Sequence, residues 1–141
     1  NREERFLKAG CSALELSIKN ATAGNRVGDI SSAIEKRISQ DGFSVSYDLT
    51  GHGIGRGVHE NPYIPCFGDP ESGPRLKEGM TLAIEVIYSK GNSDIVTEQD
   101  GWTVRTRDGS ISAVFEHTVG VTTGEPIIFT RFEGSGIFYS K

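Results

Sequence analysis

Thr81-Leu82-Ala83-Ile84-Glu85-Val86-Ile87-Tyr88 is an apolar, β-branched run interrupted by a single charge. Eight residues are too few for a typical buried helix, and the enrichment in branched side chains favours a strand buried on both faces. A second run, Ala113–Val121, repeats the pattern with Glu116 between Phe115 and His117 and is the longest strand expected. Upstream the period changes to that of a helix. Leu7, Cys11, Leu14 and Ile18 form one apolar stripe, and Val27, Ile30, Ile34 and Ile38 form another. Asn25 is placed to cap the second helix, and Gly42 to stop it in the left-handed conformation. Phe43, Val45 and Tyr47 then alternate as a strand. Trp102–Arg107 and Ile127–Arg131 read as two further strands, and Gly51–Pro74 as a long Gly- and Pro-rich loop. Two helices followed by a mostly antiparallel, curved sheet make an α+β fold.

The 141 residues suffice for one domain and carry a net charge of −4 with no like-charge block. That balance excludes a phosphate-backbone binder and a basic membrane-surface module. No apolar run is long enough to span a bilayer. Cys11 and Cys66 cannot build a disulfide framework or a four-thiolate zinc site. Glycine, at 18 residues, is well above the usual share of about 7%, which points to tight turns around a site. The chain opens Asn-Arg-Glu-Glu, with neither Met nor an apolar signal segment, as a processed piece or part of something longer would. The sequon Asn20-Ala21-Thr22 matters only in a secreted protein, and nothing in the sequence suggests secretion.

The two strand glutamates are the chemical clue. An unpaired buried carboxylate costs several kcal/mol or becomes neutral, so Glu85 and Glu116 require an Arg, a His or a metal nearby. The segment Gly51-His52-Gly53-Ile54-Gly55-Arg56-Gly57-Val58-His59-Glu60-Asn61-Pro62 offers two imidazoles seven residues apart. A dinucleotide-binding reading fails: the glycine spacing lacks its third member, and Pro62 and Pro65 forbid the helix that should follow. A histidine with two carboxylates is nitrogen and oxygen ligation, suited to Mn, Co, Fe or Zn. His117 alternates to the opposite face from Glu116 and reads as structural, while Arg56 and Glu60 read as solvated charges.

The string Gly51–Pro62, followed by Gly79-Met80-Thr81-Leu82-Ala83-Ile84-Glu85, Asp100-Gly101-Trp102-Thr103 and Ser112-Ala113-Val114-Phe115-Glu116-His117-Thr118, resembles type I methionine aminopeptidase in order and spacing. The resemblance implies the C-terminal half of a pita-bread (creatinase/aminopeptidase-like) fold over residues 1–131; residues 132–141, with Gly134 and Gly136, read as a loosely held tail. It implies that His52, Glu85 and Glu116 are metal ligands and that His59 hydrogen-bonds the substrate and its developing oxyanion. Glu85 would also act catalytically as a proton shuttle. Val58 and Trp102 would line the pocket for the N-terminal Met side chain. The implied cofactors are two divalent metal ions per complete site, and the implied substrates are N-terminal Met peptides and nascent chains in the cytoplasm.

Departures from the family pattern matter as much. The family uses five ligands, two of them aspartates on an upstream hairpin, and an upstream histidine; this sequence has no counterpart of any of the three. Asp29, Asp48, Asp69, Asp94, Asp100 and Asp108 stand at no matching position. Val58 replaces a common Phe, and Val86-Ile87 replaces Pro-Met. The expectation is therefore a chain inactive alone, completed by a missing N-terminal half or by a second copy. A proline-specific peptidase of the same fold and an inactive pita-bread module that binds a peptide or protein are the competing readings.

Overall fold

The computed structural model describes residues 1–131, so the tail assigned to 132–141 lies outside the described residues. Helix α1 spans Arg2–Ile18 and begins with a reciprocal cap: the Asn1 side chain accepts the Glu4 amide, and Glu4 reaches back to the chain terminus. Its buried stripe is Phe6, Ala9, Gly10, Ala13, Leu14, Ser17 and Ile18; of the expected line Leu14 and Ile18 are buried, while Leu7 and Cys11 are only half-buried. Small residues face the sheet because Gly10 lies against the rings of Tyr88 and Phe115, where a Cβ would not fit.

Helix α2 spans Val27–Gln40 and buries Val27, Ile30, Ile34 and Ile38 as expected. Its cap is Arg26, whose amide is held by the Asp29 carboxylate at 2.7 Å. Asn25 does not cap, because its side-chain amide donates back to the Asn20 carbonyl and ties the two helices together. Gly42 adopts a φ of 75° and turns the chain into the sheet.

Strands β1 (Ser44–Val45), β2 (Thr50–Ile54), β3 (Glu60–Pro65), β4 (Thr81–Ser89), β7 (Ser112–Gly120) and β8 (Ile127–Ile128) form one sheet. Its order is β3-β2-β4-β7-β8, every pairing is antiparallel, and β1 extends the line of β2 along the far end of β4. Strands β5 (Ile95–Thr97) and β6 (Val104–Thr106) make a separate hairpin. The segment read as a long loop is thus partly a β-hairpin. Glycines at 51 and 53 erase the alternation that would have revealed β2, and they let neighbouring backbone approach closely. Pro62 and Pro65 are tolerated because β3 is the sheet edge. The strand expected at Trp102–Arg107 is only β6, with Trp102 in the turn before it.

Leu82, Ile84, Val86 and Tyr88 are all buried, and Tyr88 reaches α1, where its hydroxyl donates to the Phe6 carbonyl at 2.6 Å. The helices therefore cover the face of β4 that carries these even-numbered residues. Residues of the opposite parity, Ala83, Glu85 and Ile87, look the other way.

Candidate functional site

That uncovered face gathers the chemistry. Glu85 of β4 stands directly opposite Glu116 of β7, and His52 of β2 stands opposite Ala83, two residues along. The Ile87 carbonyl accepts from the Ser46 amide, and the Thr118 carbonyl accepts from Phe129, so the ladder groups of Glu85 and Glu116 point away from each other. The two glutamates are consequently a non-hydrogen-bonded pair, the geometry in which cross-strand side chains come closest. Burial raises the Glu85 pKa first, the Glu116 charge raises it further, and His52 opposes both.

His52 is 6% exposed. Its Nδ1 lies 2.9 Å from the Gly53 carbonyl, an acceptor only, so this nitrogen must carry the proton. Nε2 faces Glu85 Oε1 at 3.5 Å, a separation across which a proton or a metal ion can be shared. The donor set is hard, and the second-nitrogen bond to a carbonyl is the usual support of a metal-ligating histidine. The residues fit a divalent ion in chemistry but are incomplete in number: among the described residues no three His, Cys, Asp or Glu side chains form a metal-holding group.

His59 sits in the exposed turn between β2 and β3, its ring centroid 4.2 Å from that of His52. Glu60, expected to be a solvated charge, instead clamps this turn. Its carboxylate accepts the Gly57 amide at 2.6 Å and closes over Gly55. Arg56 is exposed as expected. Val58 is exposed beside His59. Trp102 is 88% exposed on the β5–β6 turn, which Asp100 fixes by accepting the Trp102 and Thr103 amides. The structure thus sets His59 beside His52, His52 beside Glu85, and Glu116 across the strand from Glu85, and leaves Val58 and Trp102 on open surface. Beyond the carboxylate pair on the same face, Ile87 and Val114 line an apolar recess shared with Leu49, Ile95 and Val104.

Sequence reasoning missed Cys66. Its sulfur is buried, lies 3.3 Å from the Glu85 carbonyl and accepts the Ile87 amide at 3.4 Å. Burial pushes the thiol up to about 11, so it remains protonated and can donate. A lone cysteine between Pro65 and Phe67 carries no pattern that would mark it.

Residues 1–123 match the metallopeptidase family M24. Methionine aminopeptidase of Clostridium perfringens is 45% identical over 128 residues, covering 91% of this chain and 48% of that protein. Its counterpart in Escherichia coli is 41% identical, with 84% and 45% covered. The chain spans about half the length of the curated relatives it matches. The crystal structure of methionine aminopeptidase from Thermotoga maritima superposes with a TM-score of 0.90 at 42% identity, over 94% of this chain and 53% of that one. A dipeptidase from Pyrococcus horikoshii gives 0.68 at 26% identity, over 94% and 32%. The α+β unit described above is the pita-bread architecture of these proteins.

Proposed function

Because the chain belongs to metallopeptidase family M24, we propose that it supplies the C-terminal half of a methionine aminopeptidase site that removes the initiator Met from nascent chains in the cytoplasm. The observation that carries this reading is His52 Nε2 facing Glu85, with Glu116 across the strand. His52, Glu85 and Glu116 would hold divalent metal, with the remaining ligands from a missing N-terminal half or a second copy. When bound, a pair of such ions supplies Lewis acidity and an activated water. Glu85 would take the water's proton and pass it to the leaving amine. His59, on its clamped turn, donates to the substrate carbonyl as negative charge develops there. Val58 and Trp102, both exposed in this chain, close on the Met side chain only when the rest of the site covers them. Residues 1–131 form this catalytic half and 132–141 its tail.

The test is Met release from a Met-Ala peptide. This chain alone should release none, and the chain joined by a relative's first half should release Met in the presence of Mn or Co. In the complete protein, His52→Ala or Glu116→Ala should abolish release together with metal content. His59→Ala should keep metal and lower turnover by on the order of 10²–10³. A complete, metal-loaded protein that cleaves no Met peptide yet binds a protein tightly would establish the inactive-module reading instead. Cleavage of X-Pro peptides in preference would establish the proline-specific one.

A further inference from the structure

The sheet has a gap beside its catalytic strand. β2 pairs with β4 only over Thr81–Ala83, and β1 pairs with it only at Tyr88 and Ser89, with the Ser46 amide reaching the Ile87 carbonyl. Between these pairings, the Glu85 carbonyl and the Ile87 amide face the side where one strand has left and the next has not yet arrived. The Cys66 sulfur, arriving from the end of β3, fills that place and meets both groups. A side chain thus stands in for one rung of a ladder, beside the residue on which the site depends.

We propose that Cys66 is a positioning residue for Glu85, holding the backbone on either side of Val86 so that the Glu85 carboxylate stays aimed at His52 and Glu116. The thiol fixes the Glu85 carbonyl, and hence ψ of Glu85, by donation, and it fixes the next peptide plane by acceptance. A sulfur suits the task because its long bonds reach two backbone groups more than 3 Å away, and its burial keeps it a donor. Without it, two buried backbone groups lose their partners, and the strand must shift or admit water to recover them. The carboxylate at the end of a rotated Glu85 would no longer face the His52 lone pair. The consequence for metal affinity rests on the proposed function, whereas the geometric claim does not.

The experiment compares wild type with Cys66→Ala, Cys66→Ser and Ile34→Val, the last a core change in α2. In the metal-free chain, the side-chain carboxyl carbon of Glu85 and the ring nitrogens of His52 are followed by NMR. Co²⁺ affinity is then measured from its visible absorption. Cys66→Ala should move both sets of resonances and weaken Co²⁺ binding by about tenfold or more, as removal of a supporting contact to a ligand typically does. Cys66→Ser, whose hydroxyl both donates and accepts but reaches less far, should return both readouts only part of the way from the alanine values to wild type, and Ile34→Val should leave both unchanged. If the alanine variant does not fold, Cys66→Val keeps the volume without the hydrogen bonds and is read in the same way. Wild-type resonances for Glu85 and His52 in Cys66→Ala would overturn the proposal, and so would equal shifts in Ile34→Val. A wild type that takes up no Co²⁺ would refute the metal reading, while the metal-free resonances would still decide the role of Cys66.

Discussion

Replacing Glu85 by Gln should stabilise the metal-free protein while destroying its metal site. In the present arrangement Glu85 faces a like charge across the strand and has His52 Nε2 at 3.5 Å. Like charges directly opposite in a sheet destabilise by roughly 0.2–1 kcal/mol, and glutamine removes that repulsion. Its amide can also donate to His52 Nε2, a neutral hydrogen bond worth a net of about 0.5–1.5 kcal/mol. Together these give about 1–2 kcal/mol. For a chain of this length that corresponds to a rise in Tm of roughly 3–8 °C. Thermal unfolding with a chelator present, followed by circular dichroism, measures the shift, and a Co²⁺ titration of the same variant should be flat. A lower Tm for Glu85→Gln would refute the reasoning, because it would mean that His52 is an imidazolium already paired with Glu85.

Gly51→Ala should cost about 1–3 kcal/mol in urea unfolding, since a Cβ there would press on the Ala83 carbonyl and lie 3.2 Å from the Glu85 amide nitrogen, backbone that cannot rotate away. An unchanged midpoint would contradict it. Tyr88→Phe should cost about 0.5–1.5 kcal/mol by removing the hydroxyl's hydrogen bond to the Phe6 carbonyl, again read from the urea midpoint. Asp108 accepts the Asn92 and Ser110 amides, which hold its carboxyl down to about 2, below its value of about 3.9 in an unfolded chain. Its contribution is therefore present above about pH 4 and lost as pH falls through about 2. Hydrogen exchange at Asn92 and Ser110 should accelerate over that interval in wild type and lose this pH dependence in Asp108→Asn.

The sequence showed most where side chains carry the period. The α2 stripe and the runs of β4 and β7 are visible because a two-sided or one-sided core imposes regular apolar spacing. It hid β2 because two glycines in five residues have no side chain to alternate. The α1 stripe held at Leu14 and Ile18 but was missed in the first half of the helix, where Ala9, Gly10 and Ala13 are buried for close approach rather than hydrophobicity. Glu85 and Glu116 stood out as charges in apolar runs, where both were expected to be buried; Glu85 is half-buried but Glu116 is exposed, because they face each other on the side of the sheet that the helices leave uncovered. Glu60 and Cys66 were illegible in their roles because those roles are made by backbone groups, the Gly57 amide in one case and the rung at Glu85 and Ile87 in the other. Backbone geometry of that kind leaves no trace in residue type.

The claim that His52, Glu85 and Glu116 together hold a divalent ion is tested most directly by calorimetric titration of this chain with Mn²⁺. One weak binding event in wild type, absent from both His52→Ala and Glu116→Ala, is the predicted result. No binding in wild type, binding that survives in either variant, or two tight sites on this chain alone would contradict it.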